Sequence, residues 1–337
     1  MDTNTAKPFK VVVVGCGGMA HAWVETALKT DSVELVGLVD LHRPAAEAKA
    51  EKYDLPKTLV FDTLADAVKR TGANLVFDVT VPDAHEKVVV EALQLGCDVV
   101  GEKPLAATLP AAKRMVAVAR RTGRTYAVMQ NRRWNPEIRA FQKVLHGERL
   151  GGVEELHADM YIGAHFGGFR EAMKFPLLLD MAIHTFDEAR YLSGADPVSV
   201  YCHSWNPPRS WYGHDASAVC IFEMTDGIVF TYRGSWCGEG LHADWNGEWR
   251  GVCRRGTAKW DGMQTIRAQA VRPLAAGEKQ PFFSTTDDVP VPIEPLAAGG
   301  HAGLIRDALQ CIREGRAPAT VCTDNIKSLA MVEAAVE

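Results

Sequence analysis

A run of mostly β-branched residues at positions 10–14 leads into Gly15-Cys16-Gly17-Gly18-Met19-Ala20 and then into a helical pattern. Few folds accept that junction. Gly15 permits a tight turn, Gly17 lets the backbone approach a diphosphate, and the small Ala20 allows helix and strand to pack closely. Unpaired N–H groups and the dipole at the helix start would meet the phosphates. A second strand, Val33–Val39, ends in Asp40. That is about twenty residues past the turn, where a carboxylate meets the adenine-ribose hydroxyls. Strand, turn, helix and acid in register predict dinucleotide binding on a doubly wound parallel sheet. Asp40 favours NAD, because a carboxylate repels a 2′-phosphate. Arg43 nearby keeps NADP as the alternative.

Further short apolar runs near residues 58–61, 75–79, 98–101 and 126–129 alternate with helical patterns. Such alternation predicts a parallel sheet covered on both faces. After residue 130 the texture changes. Helices are expected at 136–146 and 177–192, a strand at 153–162, and a largely antiparallel sheet over 198–270. Residues 273–300 read as loop and edge, followed by helices at 301–314 and 325–335. A chain of 337 residues is long for one core. The expected division is a Rossmann domain at 1–130 and an α/β domain with a large antiparallel sheet at 131–337.

Composition excludes several functions. A net charge of −5 offers no basic field for nucleic acid or anionic lipid. No apolar run approaches the roughly 20 residues of a membrane span, and residues 1–8 lack the apolar core of a signal peptide. A cytoplasmic protein is expected. The eight cysteines are scattered without a Cys-x-x-Cys pair. Neither zinc nor a redox dithiol has the close ligand spacing it needs, so reduced structural thiols and no metal are expected.

Two groups carry chemistry. Glu102-Lys103-Pro104 follows the apolar residues 98–101, and ligands of open α/β sheets bind beyond such strand ends. An ammonium aimed into that crevice suits proton chemistry. Asp180 and His184 stand four apart on an expected helix and share a face. A histidine can take a hydroxyl proton near neutral pH, and a carboxylate one turn away can orient it. Their neighbours, residues 177–179 and 181–183, are apolar, so the polar pair must find partners.

The chain resembles the glucose–fructose oxidoreductase / inositol dehydrogenase (Gfo/Idh/MocA) family over its whole length. The likeness rests on residues 14–20, Val81-Pro82-Asp83-Ala84-His85, Gly101-Glu102-Lys103-Pro104-Leu105, Asn131-Arg132-Arg133-Trp134-Asn135-Pro136 and Leu179-Asp180-Met181-Ala182-Ile183-His184. The resemblance implies that Lys103 contacts the reacting hydroxyl near the nicotinamide and His184 is the acid/base. Asp180 would bind substrate or support the histidine. It places Gly15, Gly17, Gly18, Met19, Ala20, Asp40, Pro82, His85, Glu102, Lys103 and Asn131 with the cofactor, although His85 would equally serve as a helix cap. Arg132 would face substrate, and dimers or tetramers are common in the family.

The implied reaction is reversible oxidation of a secondary alcohol, with NAD as hydride carrier. Six tryptophans of the second domain (205, 211, 236, 245, 249 and 260) and Tyr212 suit either a sugar or polyol substrate or the sheet core. His165 and Arg170, in a glycine-containing loop before residues 177–192, are further substrate candidates. Two other functions compete. One is a redox-neutral, NAD-dependent glycoside hydrolase, which needs a second base such as Tyr161 or a histidine near 165. The other is a cofactor-binding sensor, which has no need of Lys103 and His184.

Overall fold

The computed structural model describes residues 7–337. The signal-peptide reading, which rests on the first eight residues, falls mostly outside them. The chain forms two compact units, one reaching to Asn131 and including Ala298–Leu329, the other holding Arg132–Ala297 and Ala330–Glu337.

In the first unit strands and helices alternate: β1 (Phe9–Val14), α1 (Ala20–Leu28), β2 (Val33–Val39), α2 (Arg43–Lys52), β3 (Val60–Phe61), α3 (Leu64–Thr71), β4 (Leu75–Asp78), α4 (Pro82–Gln94), β5 (Asp98–Gly101), α5 (Leu109–Thr122) and β6 (Tyr126–Val128). The six strands run parallel in the order β3-β2-β1-β4-β5-β6. Every residue of β4, β5 and β6 is buried, as expected for strands covered on both faces. The helices start on local signals. Thr63 and Thr108 accept from Asp66 N and Ala111 N at the starts of α3 and α5. Pro44, Pro82 and Pro110 sit in first turns, where a missing N–H matters least. Strand order reverses between β1 and β4, which opens the crevice of this fold class at their carboxyl ends.

The second unit contains α6 (Pro136–His146), β7 (Val153–Tyr161), α7 (Phe169–Ala172), a π-helical turn at Leu177–Ala182, α8 (Ile183–Ser193), β8 (Pro197–Trp205), β9 (Ser217–Met224), β10 (Val229–Ser235), β11 (Glu248–Cys253), β12 (Gly256–Trp260), β13 (Ile266–Val271) and β14 (Thr286–Val289). Its eight strands form one sheet, ordered β14-β13-β12-β11-β7-β10-β9-β8, antiparallel except for the β7–β10 pair. Helices α6 and α8 pack on one face. Phe186 of α8 meets Phe222 and Tyr232 edge-on at 4.8 and 5.3 Å between ring centres. Each such fully buried ring stabilises the unit by about 1.5–3 kcal/mol.

The expected division at residue 130 needs a correction. The chain returns to the first unit through α9 (Gly300–Glu314) and the first part of α10 (Cys322–Val336). Val128 N donates to Thr320 O at 3.0 Å, and Ala127 bridges to Val321. This covers the free edge of β6, and an uncovered edge invites aggregation. Among the described residues, no helix is long and apolar enough to cross a membrane.

Candidate active site

The glycine turn follows β1 directly. Gly15 has φ +91°, and a Cβ there would lie 2.6 Å from Val79 O and 2.9 Å from Thr80 N. Only glycine fits. At Gly17 and Gly18 a Cβ would meet nothing within 4 Å. With Met19, which is 52% exposed, they leave the start of α1 open for a phosphate to approach its N–H groups. Ala20 is fully buried against the sheet. This cradle fits a dinucleotide.

Asp40 has a structural task as well. Its Oδ2 accepts from Cys16 N at 2.7 Å and its Oδ1 from His42 N at 2.8 Å, so the carboxylate holds the glycine turn. Arg43 is drawn away from any phosphate by Glu47 and Asp62, both of which it pairs with.

Glu102 is held in place from within the first unit. It is buried, accepts from Trp23 Nε1 at 2.7 Å, and lies 3.8 Å from His301 Nε2. Burial raises its pKa, but hydrogen bonds from His301 and Trp23 and the charges of His301 and Lys103 outweigh it. The carboxyl ends below its ordinary value. An anion therefore stands next in sequence to Lys103, whose side chain is half-buried. Asn131 lies in the short turn after β6, its Nδ2 3.4 Å from His301 Nδ1.

His85 corrects an expectation. It neither caps a helix nor presents a surface to a cofactor. It is fully buried in α4, with Nδ1 2.7 Å from Oδ2 of the equally buried Asp78. Its Nε2 has no hydrogen-bond partner among the described residues. Asp78 Oδ1 in turn accepts from Thr80 N and Thr80 Oγ1, so the pair braces the β4–α4 turn from within. Pro82, at the start of α4, is exposed.

In the second unit the expected helix begins as a π-helical turn, a feature frequent at functional sites. From Leu177 to Arg190 only Leu179, Asp180 and His184 reach solvent. Arg170 Nε donates to Asp180 Oδ2 at 2.7 Å, so the loop residue expected to contact substrate holds the aspartate. Its guanidinium also lies over Phe166 and Phe169, 5.2 and 4.9 Å from the ring centres. His165 is exposed and stacks on Trp211 at 3.7 Å, and Phe166 leans on Trp236 at 4.9 Å. The tryptophans divide. Trp236, Trp249 and Trp260 are core, whereas Trp205 and Trp245 are 39% and 49% exposed.

Arg132, expected to face substrate, commits its guanidinium to Glu188 Oε2 at 3.4 Å and Met181 Sδ at 3.7 Å. Glu188 itself was missed, although Asp180, His184 and Glu188 repeat at i, i+4 and i+8 along one helical face. Burial pushes its carboxyl up to about 8, outweighing the opposing pull of Arg132. Near neutral pH the pair is therefore largely an arginine beside a protonated acid. The folded state holds this proton more tightly than the unfolded chain does. Its stabilising effect is full below the ordinary carboxyl range and is lost as pH rises through about 8. Glu188→Gln should remove that decline. Above pH 8 the variant is expected to be the more stable protein, at about 1.4 kcal/mol per pKa unit relieved. Denaturant unfolding across pH checks this, and parallel profiles for the two proteins would refute it.

An oxidoreductase-family model with an NAD-binding Rossmann fold matches residues 9–130, and the GFO/IDH/MocA C-terminal domain model matches residues 138–258. Fold and site thus define an NAD-binding oxidoreductase. The chain belongs to the Gfo/Idh/MocA family. It is 27% identical to an uncharacterised protein, y4oX, of Sinorhizobium fredii, over 98% of this chain and 93% of that one. It is 26% identical to a D-apiose dehydrogenase of Paraburkholderia graminis, over 98% of this chain and 88% of the relative. An oxidoreductase from Agrobacterium radiobacter, solved with NAD+, L-tartaric acid and magnesium, matches with TM-score 0.83 at 17% identity. That match covers 98% of this chain and 97% of the other, and it bears on the fold alone. Among the described residues no group of His, Cys, Asp and Glu is placed to hold a metal.

Proposed function

We propose that this enzyme reversibly oxidises a secondary alcohol of a sugar, polyol or sugar derivative. One observation carries the reading: Asp180 and His184 are the polar openings in an otherwise buried helical face. His184 takes the hydroxyl proton, and Lys103 hydrogen-bonds the oxygen and stabilises the negative charge that develops on it. Asp180, steadied by Arg170, orients the histidine or a neighbouring substrate hydroxyl. NAD supplies the hydride acceptor when bound. The turn of Gly15, Gly17, Gly18, Met19 and Ala20 would hold its diphosphate, and Asp40 its adenine ribose. The full-length likeness to a D-apiose dehydrogenase supports a carbohydrate substrate, as do the exposed rings of Phe166, Phe169 and Trp245.

The redox-neutral hydrolase is the second reading. It needs a base beside the new carbonyl, and Tyr161 suits that task poorly. Partial burial and Asp159 raise its pKa, against the pull of Arg233. Purified protein with NAD+ and a panel of sugars, polyols and glycosides separates the two. Continuing NADH production supports the dehydrogenase, and aglycone release without net NADH supports the hydrolase. No NADH and no release across the panel would count against both.

Coenzyme choice has its own test. Asp40→Ala should weaken NAD+ binding about tenfold or more, since both the ribose contact and the brace on the Cys16 amide are lost. Calorimetric titration checks this. An unchanged affinity would place the ribose contact elsewhere. With Arg43 engaged by Asp62 and Glu47, NAD+ should bind more tightly than NADP+.

We further propose a homodimer or homotetramer joined through the outer face of the eight-stranded sheet. Tyr201, Ile221 and Val229 expose apolar surface there. The cytoplasm is the proposed location, whose reducing poise would keep the eight free cysteines as thiols in the absence of an oxidant.

A further inference from the structure

The second unit's sheet ends on β8, and the inner face of that edge strand carries a thiol. Cys202 stands directly opposite Cys220 in the antiparallel β8–β9 pair, with the two sulfurs 3.4 Å apart. Cys220 is fully buried, while Cys202 packs on the core only in part. Their neighbours Tyr201 and Ile221 point to the other face, where they are 69% and 44% exposed. The thiol pair therefore lies away from the proposed association surface. Opposed Cβ atoms in such strands sit about 4.5–5.5 Å apart, and a disulfide brings them to about 3.5–4.5 Å. A small pinch at an edge strand closes that gap.

We propose that Cys202 and Cys220 are a redox pair that a hydroperoxide closes into a cross-strand disulfide within one chain. The Cys202 thiolate attacks the peroxide; the O–O bond breaks, and a sulfenic acid forms as hydroxide or alkoxide leaves. The Cys220 sulfur then displaces the sulfenic oxygen. An S–S bond forms, the S–O bond breaks, and the oxygen departs with the Cys220 proton as water. Two electrons pass from the two sulfurs to the peroxide, and a dithiol reverses the change by exchange.

The surroundings favour this order of events. The hydrogen bond donated by Cys220 pulls the Cys202 thiol below its ordinary value, against the effect of burial. Burial instead pushes Cys16 and Cys253 up to about 12 and Cys97 and Cys322 up to about 11, which disfavours attack on a peroxide by those thiols. Cys220 is raised as well, by its bond to Cys202 and by burial, so Cys202 is the sulfur that attacks first and Cys220 the one that resolves. The disulfide would enclose residues 203–219. That segment contains Trp211 and Tyr212, which both donate to Ala164 O beside His165. Oxidation would thus cross-link the two strands that flank the segment carrying Trp211 and Tyr212.

The test treats reduced full-length protein with excess hydrogen peroxide and follows intact mass and a peptide map. The expected result is a linked peptide holding Cys202 and Cys220, a mass lower by two hydrogens, and reversal by dithiothreitol. Cys202→Ala should give no linked peptide and leave Cys220 open to alkylation after unfolding. Stable sulfinic acid at Cys202 without a link would overturn the proposal. So would a disulfide joining other cysteines, or survival of both thiols while other cysteines oxidise. The wild-type map decides alone if the variant fails to fold.

Discussion

Replacing Lys103 with Ala is expected to lower turnover by about 100- to 1,000-fold, the usual effect of losing one donor to a developing oxyanion. The residue follows β5 and is flanked by the buried Glu102, whose carboxylate is fixed by Trp23 and His301. That bracing does not depend on the lysine side chain, so the Rossmann unit should fold in its absence. NAD+ affinity should stay within a few-fold, because the glycine turn and Asp40 are untouched. Steady-state kinetics on an active substrate, with calorimetric NAD+ titration in parallel, separate the two quantities. Lost cofactor binding with normal folding would show that Lys103 serves the cofactor and not the reacting hydroxyl.

Gly15→Ala should be damaging through the backbone alone. At φ +91° an L-residue is strained by about 1–2 kcal/mol. The new methyl would also press on Val79 and Thr80 backbone atoms at 2.6–2.9 Å. Those atoms close the end of β4, where Val79 N already donates to Val14 O, so they have little room to move. Overpacking of this kind adds about 1–3 kcal/mol. The expected outcome is a markedly lower denaturant midpoint together with lost or greatly weakened NAD+ binding. By contrast Gly17→Ala meets open space and should leave stability nearly unchanged. Equal stability for the Gly15 and Gly17 variants would contradict the geometry.

Much of this architecture is legible in the sequence because its signals are local. The bounds of Val33–Val39, Asp98–Gly101 and Pro136–His146 follow from apolar runs, flanking turns and a proline in a first turn. The glycine turn and the Asp180–His184 spacing are likewise short-range patterns. What escapes the sequence depends on partners far along the chain. The parallel β7–β10 pair joins strands that resemble their antiparallel neighbours in composition. Residues 298–329 return to the first unit because β6 has an edge to cover, and nothing within that segment announces it. The sequence offers His85 as a cofactor neighbour or a helix cap, because its burial depends on Asp78, a strand residue with no marking of its own. Arg132 and Arg170 were read as substrate groups, yet they are held by Glu188 and Asp180. A cation's partner is a three-dimensional fact. Glu188 alone had a usable signal, the repeat at four-residue intervals after Asp180 and His184.

The proposed reaction is a net oxidation of the substrate, for which NAD would supply the hydride acceptor when bound. It is tested most directly by single-turnover absorbance at the NADH band. Enzyme loaded with NAD+ is mixed with an active polyol or sugar, protiated or deuterated at the oxidised carbon. The expected result is one NADH per site that persists, formed more slowly from the deuterated substrate. An NADH signal that rises and decays to zero while an aglycone appears would contradict net oxidation, and product formed with no NADH signal would contradict hydride transfer altogether.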